Sequence, residues 1–229
     1  MSDKIVNMRR ENILSPSVLS ADFTRLGEDV RLSENKGVNW LHFDVMDGIF
    51  VPQISVGMPV LSSLSKFSES VMDVHLMITE PERYIDQFAD AGADIITFHQ
   101  EACFDCNSCI EAIKRRGKKV GMTIRPYTGI EALFPYLDKI DMVLLMSVEP
   151  GFGGQKYIPS STEKIRRMRR AMDEAGFLDM PLEVDGGIKT DNLEEVLEAG
   201  ANVIVAGSAI FNGDIAENTG KFLEILRKN

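Results

Sequence analysis

The chain has 229 residues, 44% hydrophobic and 26% charged, which can build a sizeable core in one large domain or two small ones. Its net charge of −10 argues against a general nucleic-acid binder, which needs a basic face. The longest apolar run, Met142 to Met146, is far shorter than the ~20 residues that span a bilayer, and the charged N-terminus has no signal-peptide pattern. We therefore predict a cytoplasmic protein without nucleic-acid or membrane partners.

Apolar, β-rich runs alternate with segments of helical period along the chain. In chain order, each predicted strand and the helix after it are Ile13 to Leu19 and Asp22 to Asn35; Trp40 to Val45 and Met58 to Phe67; Val71 to Met77 and Pro81 to Ala91; Asp94 to His99 and a helix ending at Arg116; Lys119 to Ile124 and Ile130 to Leu137; Asp141 to Ser147 and Ser160 to Ala175; Pro181 to Val184 and Asp191 to Ala199; Asn202 to Ala206 and Ala216 to Lys228.

Eight such units without a linker predict one α/β domain over residues 1–229, a (β/α)8 TIM barrel with eight parallel strands. Residues 1–11 form an N-terminal extension in this interpretation. An open doubly wound sheet is the alternative. It is disfavoured because no dinucleotide G-x-G-x-x-G fingerprint follows the first strand, and for the same reason we expect no nucleotide cofactor.

Polar side chains cluster where three predicted strands end, which is where barrel enzymes carry their chemistry. His42 and Asp44 share one face of the second strand because side chains alternate, His75 is near the end of the third, and Asp185 follows the seventh. Two imidazoles and two carboxylates suit a divalent ion such as zinc, iron(II), manganese or cobalt. We predict a metal site made of these four residues.

Glycines follow the last three strands, in Gly151-Phe152-Gly153-Gly154, Gly186-Gly187 and Gly207-Ser208. Loops at this part of a barrel commonly bind phosphate through backbone N–H groups, and glycine lets the backbone approach the anion closely. The three clusters therefore predict a phosphate site, which an acidic protein can build from backbone dipoles.

All three cysteines, Cys103, Cys106 and Cys109, lie within seven residues. Their C-x2-C-x2-C spacing is also part of an iron–sulfur ligand set, but a fourth thiolate is missing. The same spacing arises on one side of a helix. We therefore interpret the cysteines as helix packing, with a redox or iron–sulfur role as the alternative.

The sequence resembles the ribulose-phosphate 3-epimerase family from about Ile13 to Phe211. The matching phrases, in order, are Ser15 to Phe23 (SPSVLSADF), His42 to Gly48 (HFDVMDG), Val74 to Met77 (VHLM), the stretch from Leu145 through Gly151 to Gln155, Glu183 to Gly187 (EVDGG) and Ala206 to Phe211 (AGSAIF).

The resemblance implies interconversion of D-ribulose 5-phosphate and D-xylulose 5-phosphate in the pentose phosphate pathway, by a homodimer or homohexamer with one divalent ion per subunit. It implies that Asp44 and Asp185 are the acid/base pair and also bind the metal with His42 and His75. The resemblance further implies substrate contacts from Ser17, His75, Met46, Met77, Met146, Gly151, Phe152, Gly153, Gly154, Asp185, Gly186, Gly187, Gly207 and Ser208.

Three positions depart from the family pattern: Ile49, Gln100 and Arg125, of which Arg125 stands where asparagine is usual. They leave the related D-allulose-6-phosphate 3-epimerase as an alternative, although that enzyme often carries alanine at the position of Gly153. A decarboxylase or synthase barrel would lack this metal set. A sugar-phosphate-binding inactive paralogue would not need two proton-transfer carboxylates.

Overall fold

The computed structural model describes residues 11–229, so almost all of the predicted N-terminal extension lies outside the described residues. Within them, eight parallel strands pair in the order β1-β8-β7-β6-β5-β4-β3-β2. The strands are β1 (Ile13–Pro16), β2 (Trp40–Met46), β3 (Val71–Met77), β4 (Ile95–His99), β5 (Lys119–Ile124), β6 (Met142–Met146), β7 (Leu182–Asp185) and β8 (Val203–Ala206). A parallel bridge between Ser17 and His42 joins β1 to β2 and brings the ring to near closure, confirming a (β/α)8 barrel in a single domain.

Helices cover the outside of the barrel: α1 (Leu26–Glu34), α2 (Met58–Phe67), α3 (Ile85–Ala91), α4 (Cys106–Arg115), α5 (Ser160–Glu174), α6 (Leu193–Glu198), α7 (Ser208–Phe211) and α8 (Ile215–Lys228). The short α7 was not predicted. Across residues 11–229, no helix is long and apolar enough to cross a membrane.

Several predicted elements differ from the structure for local reasons. The helix predicted from Pro81 opens with a 3-10 turn, Pro81–Arg83, and α3 begins only at Ile85. The strand predicted to reach Leu19 ends at Pro16, and a 3-10 turn follows it. α1 begins at Leu26 rather than Asp22, because the Asp22 carboxylate accepts hydrogen bonds from Thr24 and holds a turn there. The helix predicted between β5 and β6 is two 3-10 turns, since Pro135 lacks the N–H that an α-helix needs.

The side chains that point into the barrel change in character along its axis. At the amino ends of the strands they form an apolar layer of Trp40, Val71, Ile95, Met142 and Val203. Two residues further along, the register pairs His42 with Asp73, and two further still it pairs Asp44 with His75. Alternation therefore stacks a buried polar layer on the apolar layer and delivers polar groups to the carboxyl ends of the strands.

Candidate active site at the carboxyl ends of the strands

The four residues predicted to bind a metal come together at the barrel mouth. His42 Nε2 lies 3.3 Å from Asp44 Oδ1 and 3.4 Å from His75 Nδ1, and the distance from His75 Nδ1 to Asp44 Oδ1 is 3.2 Å. Asp185 Oδ2 lies 3.8 Å from His75 Nδ1. Four ligands at about 2.0–2.1 Å from one tetrahedral ion would be about 3.3 Å apart, so the donor set fits a divalent transition ion.

In His42 and His75, the ring nitrogen that faces away from Asp44 contacts a second buried side chain. His42 Nδ1 contacts Asp73 Oδ2 at 2.7 Å, and His75 Nε2 contacts His99 Nε2 at 2.9 Å. Burial lowers the pKa of His99 to about 4, so this ring is neutral. Its Nε2 can therefore accept a hydrogen bond from Nε2 of His75. His42 Nε2 and His75 Nδ1 are left facing Asp44 Oδ1, and once deprotonated they would be the lone-pair donors to a bound ion.

Below the site, Asp73 and Glu183 form a buried carboxyl pair beside His42. Burial and the charge of Asp73 raise the pKa of Glu183 well above its usual range. Burial also raises the pKa of Asp73, but the charge of His42 outweighs it and lowers that pKa. These opposite shifts favour a single negative charge on the pair, on Asp73, whose Oδ2 contacts His42 Nδ1.

The two predicted catalytic carboxyls have opposite pKa shifts. Burial raises the pKa of Asp44, but the charge of His42 and hydrogen bonds from His42 and His75 lower it below its usual range. Ser17 Oγ also donates to Asp44 Oδ2 at 2.5 Å. Burial and the negative charge of Asp44 raise the pKa of Asp185 to about 6. Neighbouring carboxyls with separated pKa values can act as base and acid in one reaction.

A cavity opens above these groups, and its walls contain Ser17, Asp44, Met46, Met77, Met146, Gly151, Phe152, Gly153, Gly154, Asp185, Gly186, Gly187, Gly207 and Ser208. Every predicted site residue except His42 and His75 therefore lines one space. The two histidines are fully buried beneath it. Three methionines give the cavity an apolar surface, and three glycine clusters also line it.

Glycine is required at two points of this cavity wall. Gly187 has φ +69°, and a Cβ there would lie 2.3 Å from the backbone nitrogen of Tyr157. Gly186 has φ +121°, and its Cβ would lie 2.4 Å from a methyl group of Val148. A larger residue at either position is excluded both by the conformation and by the close approach of a neighbouring loop.

The residues that depart from the family pattern lie on the rim. Arg125 Nη2 donates to the carbonyl oxygen of Phe50 at 2.8 Å, and its guanidinium lies 4.4 Å from the centre of the Phe50 ring. The Phe50 ring lies 4.8 Å from the ring of His99. Arg125 thus fastens the loop after β2 to the loop after β5. Ile49 is exposed, and Gln100 begins the 3-10 turn after β4.

Sequence reasoning missed four residues near the site: Asp73, His99, Glu183 and Lys189. The first three could have been found from strand alternation, since Asp73 and Glu183 precede His75 and Asp185 by two residues and His99 ends the fourth predicted strand. Lys189 lines the cavity beside Gly187 and Ser208. It gives the phosphate side a cation that the backbone interpretation did not require.

Fold and site together define a (β/α)8 barrel with a candidate metal site beside a glycine-lined cavity. A profile of the Ribulose-phosphate 3 epimerase family matches residues 13–211. Ribulose-phosphate 3-epimerase of Synechocystis sp. is 48% identical over 207 residues, 90% of this chain and 90% of that protein. The Escherichia coli K12 enzyme is 47% identical over 204 residues, 89% of this chain and 90% of its own.

The chain therefore belongs to the ribulose-phosphate 3-epimerase family and is an epimerase. Among solved structures, 3-hexulose-6-phosphate synthase from Salmonella typhimurium superposes with a TM-score of 0.71 at 19% identity, covering 94% of this chain and 99% of that one. This likeness concerns the fold alone.

Proposed function

We propose that the protein inverts C3 of D-ribulose 5-phosphate to give D-xylulose 5-phosphate, as a step of the pentose phosphate pathway, using one divalent ion per subunit. The observation that carries this proposal is the pair Asp44 and Asp185, whose pKa values are shifted in opposite directions at the floor of a glycine-lined cavity. A cytoplasmic homodimer or homohexamer is part of the proposal through the family resemblance.

Inversion at C3 requires removal of a proton next to the C2 carbonyl and return of a proton to the opposite face. Ionised Asp44 takes the C3 proton, and protonated Asp185 donates its own proton to the other face of the planar enediolate. In the reverse direction the two carboxyls exchange roles. Ser17, which hydrogen-bonds to Asp44, holds that carboxylate and offers a hydroxyl to the sugar.

His42, Asp44, His75 and Asp185 would hold the divalent ion, because their donor atoms all lie within 4.8 Å of one another. Bound there, the ion would supply Lewis-acid stabilisation of the negative charge that develops on the substrate oxygens. Met46, Met77 and Met146 would form a water-poor wall that does not compete for the proton. This wall favours return of the proton from Asp185 rather than from solvent.

The phosphate end would lie against Gly151, Phe152, Gly153, Gly154, Gly186, Gly187, Gly207 and Ser208. Backbone N–H groups at such glycines can approach an anion closely, and Lys189 adds a positive charge at the same end of the cavity. This arrangement supports a substrate with one phosphate group at the end remote from the reacting carbon.

The experiment that tests the proposal assays the purified protein on D-ribulose 5-phosphate and D-allulose 6-phosphate in parallel, before and after chelation and with metal restored. We expect faster conversion of the pentose, loss of activity on chelation, and recovery with a divalent transition ion. In deuterium oxide the product should carry solvent deuterium at C3. Faster conversion of the hexose would overturn the substrate, and activity that resists chelation would overturn the metal. Product without deuterium would overturn the two-carboxyl mechanism.

A further inference from the structure

The three cysteines lie outside the site described above, in the segment that runs from the turn after β4 into α4. Cys106 and Cys109 are on α4, as the helix interpretation predicts, but Cys103 precedes the helix and turns back towards it. Cys103 Sγ lies 3.1 Å from Cys109 Sγ, and Cys109 Sγ lies 3.7 Å from Glu82 Oε2. Glu82 belongs to the 3-10 turn after β3. Two neighbouring loops of the barrel thus bring two thiols and a carboxylate together.

We propose that Glu82, Cys103 and Cys109 form a second metal site, for a soft divalent ion of the zinc class, distinct from the site at the barrel mouth. Their three donor atoms all lie within 4.8 Å of one another. Thiolate ligands select zinc over hard cations such as magnesium and calcium. With three protein ligands, the fourth position of a tetrahedral ion is taken by solvent.

The distances are close to those of a zinc site. A tetrahedral ion with Zn–S of about 2.3 Å and Zn–O of about 2.1 Å separates sulfur from oxygen by about 3.6 Å, close to the 3.7 Å between Cys109 and Glu82. It separates two sulfurs by about 3.8 Å, so Cys103 must move outward by less than ~1 Å. Cys103 is half-buried and precedes the helix, so a side-chain rotation can supply this movement, whereas Cys109 is fully buried.

Cys106 is excluded from this ligand set by its own contact. Its thiol donates to the backbone carbonyl oxygen of Gln100 at 3.7 Å, so it is directed to the turn after β4 rather than to Glu82. The iron–sulfur interpretation, which needs all three thiolates and a fourth, therefore does not fit. The competing outcome is a disulfide between Cys103 and Cys109. A disulfide has no use for the Glu82 carboxylate, which is why the geometry favours a metal.

Binding would join the loop after β3 to the loop after β4. Because cysteine binds a metal ion as the thiolate, uptake of the ion by Cys103 and Cys109 releases the protons that the two thiols carry. Because the ion binds the folded chain, it should raise the melting temperature.

Cobalt(II) is the probe that separates this site from the one at the barrel mouth. Only thiolate ligands give cobalt a near-ultraviolet sulfur charge-transfer band, so a cobalt ion held by histidine and aspartate does not contribute. The full-length protein is stripped of metal by chelation, kept reduced with a phosphine, and titrated with cobalt(II). We expect the band in the wild type and in Cys106→Ser, which is the matched control. We expect its loss in Cys103→Ser and its weakening in Glu82→Gln.

Cys103→Ser is chosen over Cys109→Ser because Cys103 is half-buried and its replacement leaves the core intact; circular dichroism and the melting temperature of the metal-free variant check its fold. Metal analysis of the zinc-loaded wild type should give one more ion per chain than Cys103→Ser. Absence of the band in the wild type, or its persistence in Cys103→Ser, would overturn the proposal. Loss of the band in Cys106→Ser would overturn the ligand set. A mass lower by two hydrogens in the protein before phosphine treatment would show a disulfide instead.

Discussion

The Nδ1 atom of His42 lies 2.7 Å from Oδ2 of Asp73, and both side chains are fully buried beneath the cavity. This contact orients the imidazole so that Nε2 faces Asp44 and His75. Ser15 Oγ donates to the same Asp73 oxygen at 3.4 Å. The barrel interior therefore holds His42 through a carboxylate that is itself hydrogen-bonded, an arrangement that typically raises the metal affinity of a histidine.

Asp73→Asn should lower affinity for the divalent ion at the barrel mouth by about 10–100-fold, the usual cost of losing a carboxylate behind a ligand histidine. The amide keeps the size of the side chain but removes the negative charge facing His42. Affinity is measured by competition with a chromogenic chelator, and turnover should recover at high metal concentration.

Glu183→Gln is the matched control for Asp73→Asn. Because the raised pKa of Glu183 favours its neutral form, the amide keeps both the charge and the size of this side chain. Metal affinity should stay within about threefold of the wild type, a change that corresponds to less than 1 kcal/mol. Equal losses in the two variants would contradict a specific role for the charge on Asp73.

Arg125→Ala should lower kcat/KM about tenfold, because it removes a cation–π contact worth about 0.5–2 kcal/mol and a charged hydrogen bond to Phe50. The loop after β2 then loses its attachment to β5, and the Phe50 ring no longer holds its place against His99. Steady-state kinetics on the pentose phosphate check this expectation.

Glu149→Gln is the control for Arg125→Ala, since Glu149 pairs with the same guanidinium at 3.5 Å on the exposed rim. Exposed ion pairs contribute about 0–1 kcal/mol, so this variant should behave like the wild type. If kcat/KM is unchanged in Arg125→Ala, or falls as far in Glu149→Gln, the contact between Arg125 and Phe50 has no specific part in the reaction.

Much of the fold and most of the site could be predicted from local patterns. Apolar strands at regular spacing indicate a parallel barrel, and a barrel sends the ends of its strands to one mouth, which brought Asp44, His75 and Asp185 together. Pairing of His42 with Asp73 depends on the register between β2 and β3, which one strand does not contain. Alternation alone places Asp73 and Glu183 on the inner face of the barrel, but it does not show which of them contacts His42.

Contacts across loops were also beyond sequence reasoning. The contact between Glu82 and Cys109 joins the turn after β3 to α4, which belong to two different β/α units. The same holds for the attachment of Arg125 to Phe50, 75 residues apart in the chain. Two local turns were missed for another reason. Asp22 accepts hydrogen bonds from Thr24, Pro135 lacks the N–H of a regular helix, and hydrophobic periodicity registers neither effect.

Glu101→Gln should destabilise the protein at neutral pH by about 1–2 kcal/mol, a value reduced for solvent screening of this rim carboxylate. Burial raises its pKa, but hydrogen bonds from His99, Thr128 and the backbone of Arg125 outweigh it and lower the pKa to about 2. A depressed pKa stabilises the fold above the ordinary value of 4.5 and loses that effect as pH falls towards 2.

The difference between wild type and Glu101→Gln should therefore shrink as pH falls from 7 to 3. Urea unfolding at both values measures it. Glu131→Gln is the control, because Glu131 pairs with the exposed Arg167 and should show a small difference at both pH values. A Glu101→Gln difference that stays constant between pH 7 and pH 3 would contradict the ionic origin of the effect.

Gly153→Ala separates the glycines required by the fold from those required by the ligand. At Gly153 an added Cβ meets nothing closer than Ser20 Oγ at 3.6 Å, and the φ angle is not in the left-handed region. Stability should therefore change by less than about 0.5 kcal/mol, as for an unstrained surface substitution. At Gly187, a Cβ would lie 2.3 Å from the backbone of Tyr157 at a positive φ, so Gly187→Ala should cost about 2 kcal/mol or more.

Because Gly153 lines the cavity, Gly153→Ala should raise KM for the pentose phosphate severalfold while leaving the fold intact. The ratio of kcat/KM for pentose over hexose phosphate should fall. An unchanged KM in a stable Gly153→Ala variant would remove this loop from the proposed phosphate site.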